Sequence, residues 1–281
     1  MTVRVDFHTH TLASDGALAP SALVARAVEA GISRLAITDH DTLAGYLTAR
    51  DACPDGLDLV SGVELSCLWS GVGIHVLGLG VDVESPDLQA GLATLAEARE
   101  ARALEIAARL ERRGFAGAWE GARVEAAGSQ LGRPHFARWL VRAGHLPDEA
   151  TAFRRYLGAG KVGDVKTGWP TLAEACRWVC AASGIAVLAH PLQYRLTRMK
   201  LRRLLTAFVD AGGQGLEVLS GRQDAAQVGE LKRLAGDFGL CASAGSDFHR
   251  DSPYGPQLGV ESRVLEGVPN IMDHLDAVSS P

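Results

Sequence analysis

The chain has 281 residues, is 47% hydrophobic and 22% charged, and carries a formal net charge of −5. That balance belongs to a folded globular protein of one large domain or two smaller ones, and excludes disordered, collagen-like and disulfide-rich classes. The acidic total gives no general attraction to nucleic acid or membranes, and no run of about 18 apolar residues could span a bilayer.

The first apolar run, VRVDF (3–7), reads as a buried strand. PSALVARAVEAG (20–31) follows as a helix, started by Pro20 and stopped by Gly31. SRLAIT (33–38), LDLVSGVEL (57–65) and GIHVLGLGV (73–81) are further strands. Residues 86–160 then contain no strand: 86–114 is an Ala-rich helix by propensity, and GRPHFARWLVRAG (132–144) and PDEATAFRRYLG (147–158) are helices too. This segment holds 11 Lys+Arg against 9 Asp+Glu, whereas the rest of the chain holds 17 against 24. It reads as a basic helical insertion in a more acidic host. Strand and helix then alternate again: TLAEACRWVCAASG (171–184), GIAVLA (184–189), LRRLLTAFVDAGG (201–213), QGLEVLS (214–220) and LCASAGS (240–246). Apolar strands alternating with helices imply a parallel sheet covered by helices, as an open sheet or a closed barrel.

Five scattered cysteines (Cys53, Cys67, Cys176, Cys180, Cys241) form no C-x-x-C pair and read as reduced, mostly buried thiols. Cys176 and Cys180, one helical turn apart, suggest a shared buried face rather than a metal site. The start MTVRVDF shows no secretory leader. These features give the expectation of a cytoplasmic protein without membrane attachment or an obligate protein partner.

The informative signal is where acids and imidazoles fall. His8 and His10 follow the first strand in DFHTHTLASDG. His40 follows the second in TDHD, Glu64 closes the third, His190 follows the fifth in AHP, and Asp247 and His249 follow the last in GSDFH. His75 lies near the start of the fourth. Most sit at the C-terminal ends of strands, the side on which sites assemble in β/α folds. Burying several imidazoles and carboxylates together is unfavourable unless cations neutralise them. Imidazole with carboxylate oxygen suits manganese, zinc or iron without a thiolate. The H-x-H pair is a natural chelate, because alternate strand residues point the same way. Asp15, taken alone, reads as turn chemistry in an Asp-Gly dipeptide.

DFHTHTLASDG, TDHD, GVELS, IHVLG, AHP and GSDFH, in this order, resemble the PHP family, named for polymerase and histidinol phosphatase. The resemblance covers the chain on both sides of the insertion. It implies an α/β fold, a distorted (β/α)7 TIM-like barrel at 1–85 and 161–281, with a helical insertion at 86–160 covering the active site. It implies two or three divalent ions at the barrel mouth, with manganese favoured and zinc or iron as alternatives. His8, His10, Glu64 and Asp247 would hold one ion; Asp15, His40 and His249 a second; and Glu64, His75 and His190 a third. GRPHFAR, GKVGDV and QGLEVLSG look like the branch that contains nucleoside 3′,5′-bisphosphate phosphatases and 5′-to-3′ exoribonucleases. In that branch Arg133 and His135 contact substrate phosphate, and we count both with Asp15, His40 and Glu64 as catalytic candidates.

The implied reaction removes the 3′-phosphate of a nucleoside 3′,5′-bisphosphate by attack of a hydroxide bridging the ions, with trimming of short RNA as a further activity. Alternatives are a phosphatase for another small phosphomonoester such as histidinol phosphate, an amidohydrolase, and a non-catalytic metal-bound module. Asp6, Asp39 and Asp41 are candidates either to orient ligand imidazoles or for ordinary strand-end or cap roles, and Glu217 lies at the same rim without a clear role. Residues 190–209 contain no acid but carry Arg195, Arg198, Lys200, Arg202 and Arg203. With Lys161 and Lys166 they could make a positive rim for a polyanion.

Overall fold

The computed structural model describes residues 3–166, 168–221, 223–253 and 255–278. The chain divides into two compact units, Met1–Leu92 with Pro170–Pro281, and Ala93–Trp169. Among the described residues eight strands occur: β1 (Arg4–Asp6), β2 (Ile32–Ile37), β3 (Asp58–Trp69), β4 (Val72–Leu79), β5 (Ile185–Leu188), β6 (Gly215–Ser220), β7 (Cys241–Gly245) and β8 (Val260–Glu261). The described helices are α1 (Pro20–Glu29), α2 (Ala44–Arg50), α3 (Pro86–Glu111), α4 (Ala118–Ala126), α5 (Arg133–Arg142), α6 (Glu149–Ala152), α7 (Leu172–Ala181), α8 (Arg198–Asp210), α9 (Ala225–Asp237) and α10 (Ile271–Val278).

The strands form one sheet in the order β7-β6-β5-β4-β3-β2-β1-β8. The Phe7 amide donates to Ala244 O at 3.2 Å, and the Asp247 amide to His8 O at 2.9 Å, so the chain leaving β1 meets the end of β7 and the sheet curls toward closure. This is the expected distorted TIM-like barrel, with the two-residue β8 added antiparallel to β1. Closure depends on Gly245. A Cβ there would lie 2.5 Å from His8 Cβ and 2.6 Å from His8 N, so no larger residue lets β7 approach β1 this closely. β5 and β7 are buried on both faces, which explains why they read as continuous apolar runs rather than alternating ones.

One expectation about the sheet needs correcting. β1, β2 and β3 are mutually parallel, as are β5, β6 and β7, but β4 runs antiparallel to both β3 and β5. The third strand does not end at Leu65. It continues to Trp69, and Ser70 and Gly71, both with positive φ (47° and 74°), turn it directly into β4. Two such residues make the tight turn whose twist suits a hairpin, so no helix separates these strands.

Helix ends follow sequence chemistry. Pro20 starts α1 and Gly31 (φ 69°) follows it. Thr171 and Glu174 cap α7 reciprocally, as Asp224 and Gln227 cap α9. The helical unit has its own core, in which Ile106 and Leu110 of α3 join Phe136, Leu140, Leu157 and Val165. All five cysteines are free thiols. Cys176 is buried but Cys180 is exposed, so the two do not share a buried face. No described helix is long and apolar enough to cross a membrane.

Candidate metal centre

Strands β3 and β4, which carry Glu64 and His75, and the turns that follow other barrel strands bring His8, His10, Asp15, His40, Glu64, His75, His190, Asp247 and His249 together. Their ligand atoms fall into four overlapping groups: His10, Asp15, His40 and His249; His8, His10 and Asp247; His8, Glu64 and His190; and His40, Glu64 and His75. Within each group the atoms lie within 4.8 Å of one another. The antiparallel β4 explains how His75 joins them. Its start lies level with the far end of β3, Val72 opposite Trp69 and His75 opposite Ser66, so a residue early in this strand reaches the rim that its neighbours reach late.

Glu64 is the hub. Its Oε1 lies 2.8 Å from His75 Nδ1 and 2.9 Å from His190 Nε2, and its Oε2 lies 2.8 Å from His40 Nδ1. Asp15 faces the other side, with His249 Nε2 at 3.3 Å and His40 Nε2 at 3.8 Å. His8, His10 and Glu64 are fully buried, while His40, His75, Asp247 and His249 keep part of their surface in solvent. The cluster is therefore fixed below and open above. His190 (φ 28°) and Asp247 (φ 55°) hold left-handed backbone conformations at strand ends, the kind of strain that marks functional sites.

The donor set fits divalent cations on geometry alone. His8 Nε2 lies 3.5 Å from both Glu64 Oε2 and Asp247 Oδ1, and His10 Nε2 lies 3.4 Å from the same two oxygens. Those separations are long for hydrogen bonds. They match the edges of a tetrahedron around a cation, since bonds of about 2.1 Å place ligand atoms about 3.4 Å apart. Both His8 Nε2 and His10 Nε2 are buried without a hydrogen-bond partner, and so is His10 Nδ1. Buried ring nitrogens in that state are costly unless something occupies the space between them.

The charge balance without a cation is uneven. Burial alone would lower His249, but the Asp15 and Asp247 carboxylates outweigh it and lift the imidazole to about 10. Burial and the neighbouring His249 push His10 down to about 3. Burial would raise Glu64, yet His40, His75 and His8 together hold it well below the usual carboxylate range.

Around the cluster, Glu217 has a role that the sequence did not reveal. It is fully buried. Its Oε1 lies 3.0 Å from His8 Nδ1, and its Oε2 accepts the His190 amide at 2.6 Å. It thus turns the other nitrogen of His8 toward the cluster and ties down a second imidazole-bearing turn. Its signal was a single acid inside an otherwise apolar strand.

Asp6, Asp39 and Asp41 grip the backbone of segments around the cluster. Asp6 accepts from the Ser246 and Gly259 amides at 2.8 and 2.7 Å, and burial pushes it up to about 6. Asp39 accepts from the Thr11 amide at 2.7 Å and from Ser14 Oγ at 2.6 Å, which shapes the loop that carries Asp15. Asp41 accepts the Ser66 amide at 2.6 Å. Gln193 Nε2 donates to Asp247 Oδ2 at 3.2 Å, and Tyr194 Oη accepts the His75 amide at 2.9 Å.

Arg133 and His135 lie in the helical unit at the start of α5. His135 is buried; its Nδ1 accepts the Gly132 amide at 3.0 Å and its Nε2 lies 3.3 Å from Ser129 Oγ, so it caps the helix. Arg133 donates to Leu157 O at 3.1 Å, and burial lowers its pKa.

Known proteins place this geometry in a family. Residues 6–102 match the PHP domain. The chain is 43% identical to a 5′-3′ exoribonuclease of Haemophilus influenzae, over 89% of this chain and 91% of that one. It is 40% identical to a 3′,5′-nucleoside bisphosphate phosphatase of Chromobacterium violaceum, over 91% and 90%. A solved structure from C. violaceum, described as an amidohydrolase with bound sulfate and no metal, superposes with a TM-score of 0.89 at 38% identity, over 98% of this chain and 96% of that one. With a matching domain model and full-length relatives above the level at which family membership is secure, the chain belongs to the PHP family of metal-dependent phosphoric ester hydrolases.

Proposed function

We propose that the protein hydrolyses the 3′-phosphate of nucleoside 3′,5′-bisphosphates, such as adenosine 3′,5′-bisphosphate, and trims 5′-phosphorylated short RNA from its 5′ end. Both reactions break the same bond. A water oxygen joins phosphorus, the bond from phosphorus to O3′ of the 5′-terminal nucleotide breaks, and O3′ takes a proton. From a bisphosphate the products are a nucleoside 5′-monophosphate and phosphate. From RNA they are the same monophosphate and a chain one nucleotide shorter with a new 5′-phosphate. One site therefore suits both substrates named for the relatives.

The observation that carries this reading is that His8 Nε2 and His10 Nε2 each stand 3.4–3.5 Å from both Glu64 Oε2 and Asp247 Oδ1, separations that ligand atoms sharing one cation have. We assign those four to one divalent ion, Asp15, His40 and His249 to a second, and Glu64, His75 and His190 to a third. Manganese is our first choice; zinc and iron share the donor set. Ions held there supply an acidified water and neutralise the phosphoryl oxygens. The buried His8, His10 and Glu64 keep the cage rigid, and the partly exposed His40, His75, Asp247 and His249 face the incoming phosphate. Arg133 offers a planar fork for phosphate, and His135 holds the helix start that carries it.

The test is phosphate release from adenosine 3′,5′-bisphosphate with added Mn²⁺, beside a His8→Ala control. Release that the control lacks supports the assignment. No release from folded, metal-loaded protein removes this substrate, and histidinol phosphate and 5′-phosphorylated oligoribonucleotides should then be tried in the same preparation.

A further inference from the structure

The acid-free run from 190 to 209 is not accounted for by the metal centre. It leaves the cluster at His190, and a single helical turn, Pro191–Tyr194, leans back on it through Gln193 and Tyr194. Arg195 ends that turn, exposed and in a left-handed conformation (φ 51°). α8 begins three residues on, capped by Thr197. Because α8 follows the C-terminal end of β5, its first turn stands on the mouth side of the barrel.

Leu201, Leu204, Leu205 and Phe208 bury the inner face of α8, while Arg198, Met199, Lys200 and Arg203 are exposed on the outer one. Arg202 is engaged, 2.7 Å from Asp237 and stacked on Phe238. Arg198 is loosely held, 3.9 Å from Glu230. Among the described residues, Arg195, Lys200 and Arg203 make no ion pair. The N-terminal amides of α8 add positive potential at the same place. In a chain of net charge −5, this is a local reversal beside a carboxylate-rich centre.

We propose that Arg195, Lys200 and Arg203, with Arg198, hold the phosphodiester backbone of short RNA downstream of the cleaved bond. The proposal rests on the phosphoesterase reading above. In RNA the downstream chain hangs on the reacting phosphorus through O5′ of the second nucleotide, so with phosphorus at the cluster it must leave across the rim. In a bisphosphate that oxygen carries nothing, and the rim has nothing to hold.

The test uses Mn²⁺-loaded protein and a 5′-phosphorylated pentaribonucleotide with a methylphosphonate first linkage, which resists hydrolysis, followed by fluorescence anisotropy against salt. For Arg195→Gln/Lys200→Gln we expect affinity about tenfold lower at low salt, and a salt slope shallower by about 1.4, or about 0.7 for each of two phosphates. Lys200→Gln/Arg203→Gln, on the regular helix, is a second pair with the same expectation. Turnover of adenosine 3′,5′-bisphosphate, measured in parallel, should fall far less than RNA affinity. Unchanged RNA affinity and slope would overturn the proposal, as would an equal loss on the bisphosphate. A wild-type protein that binds RNA through the rim but never hydrolyses the bisphosphate would refute the substrate reading and leave the rim standing.

Discussion

Glu217 accepts two hydrogen bonds from fixed buried donors, His8 Nδ1–H at 3.0 Å and the His190 amide at 2.6 Å. An ionised carboxylate suits that site because both of its oxygens only accept. Glutamine keeps the shape but has one accepting end. If its oxygen stays with the His190 amide, its NH₂ faces His8 Nδ1 and drives the ring proton to Nε2, the nitrogen that lies 3.5 Å from Glu64 Oε2 and Asp247 Oδ1. If it flips, NH₂ opposes the His190 N–H and leaves a buried donor unpaired, at a cost of about 1–3 kcal/mol. The first arrangement takes His8 Nε2 out of use as a ligand, and the second keeps it only at that cost. Removing such a partner typically weakens metal binding about 10–100-fold, or about 1.4–2.7 kcal/mol. The assay is calorimetric titration of metal-stripped wild type, Glu217→Gln and Glu217→Ala with Mn²⁺, alongside thermal melts in chelator. We expect Glu217→Gln to lose most of the affinity that Glu217→Ala loses, while melting closer to wild type. A glutamine variant that binds Mn²⁺ as tightly as wild type would falsify the tautomer argument.

Further outcomes follow from the same geometry. Because Asp15 and Asp247 overcome burial and lift His249 to about 10, the metal-free protein carries a proton there at pH 7 that a cation must displace. Mn²⁺ binding should release at least one proton and tighten as pH rises toward 10; calorimetry in buffers of unlike ionisation enthalpy that finds no release would contradict this. Without metal, the raised His249 stabilises the fold fully below pH 6.5, and that contribution is lost as pH climbs through about 10. A Cβ at Gly245 meets His8 main-chain and Cβ atoms, which no rotamer change relieves, so Gly245→Ala should cost about 1–3 kcal/mol and lower metal content together, as read by melting and metal analysis. Asp15→Asn should remove turnover while leaving circular dichroism unchanged. On the role proposed for Arg133, Arg133→Ala should keep its metal and lose about 1.5–3 kcal/mol, read as a fall of roughly 10–150-fold in kcat/KM.

How much of this was legible in the chain depended on which physical constraint each feature answers to. The seven barrel strands were readable because burial on both faces forces near-continuous apolar runs, as in IAVL of β5 and CASAG of β7. β8 was not, since two residues make no pattern. The direction of β4 is set by Ser70 and Gly71, and a Ser-Gly pair between two apolar segments was the available signal. Missing it left His75 as an oddity near the start of a strand, when reversing that strand makes its start and its neighbours' ends one rim. Asp15 was hidden for another reason. Its place is fixed by Asp39 gripping Thr11 and Ser14 across 28 and 25 residues, a contact that no local spacing encodes. Glu217 answers to a rule that does work on sequence: an acid inside an apolar strand such as GLEVLS must be paired if buried. What the rule cannot supply is the partner, because His8 and Glu217 are 209 residues apart and meet only when β6 and β7 curl back to β1. The cage is thus a product of closure, and the same approach of β7 to β1 that requires glycine at 245 sets the distance between His8 and Asp247.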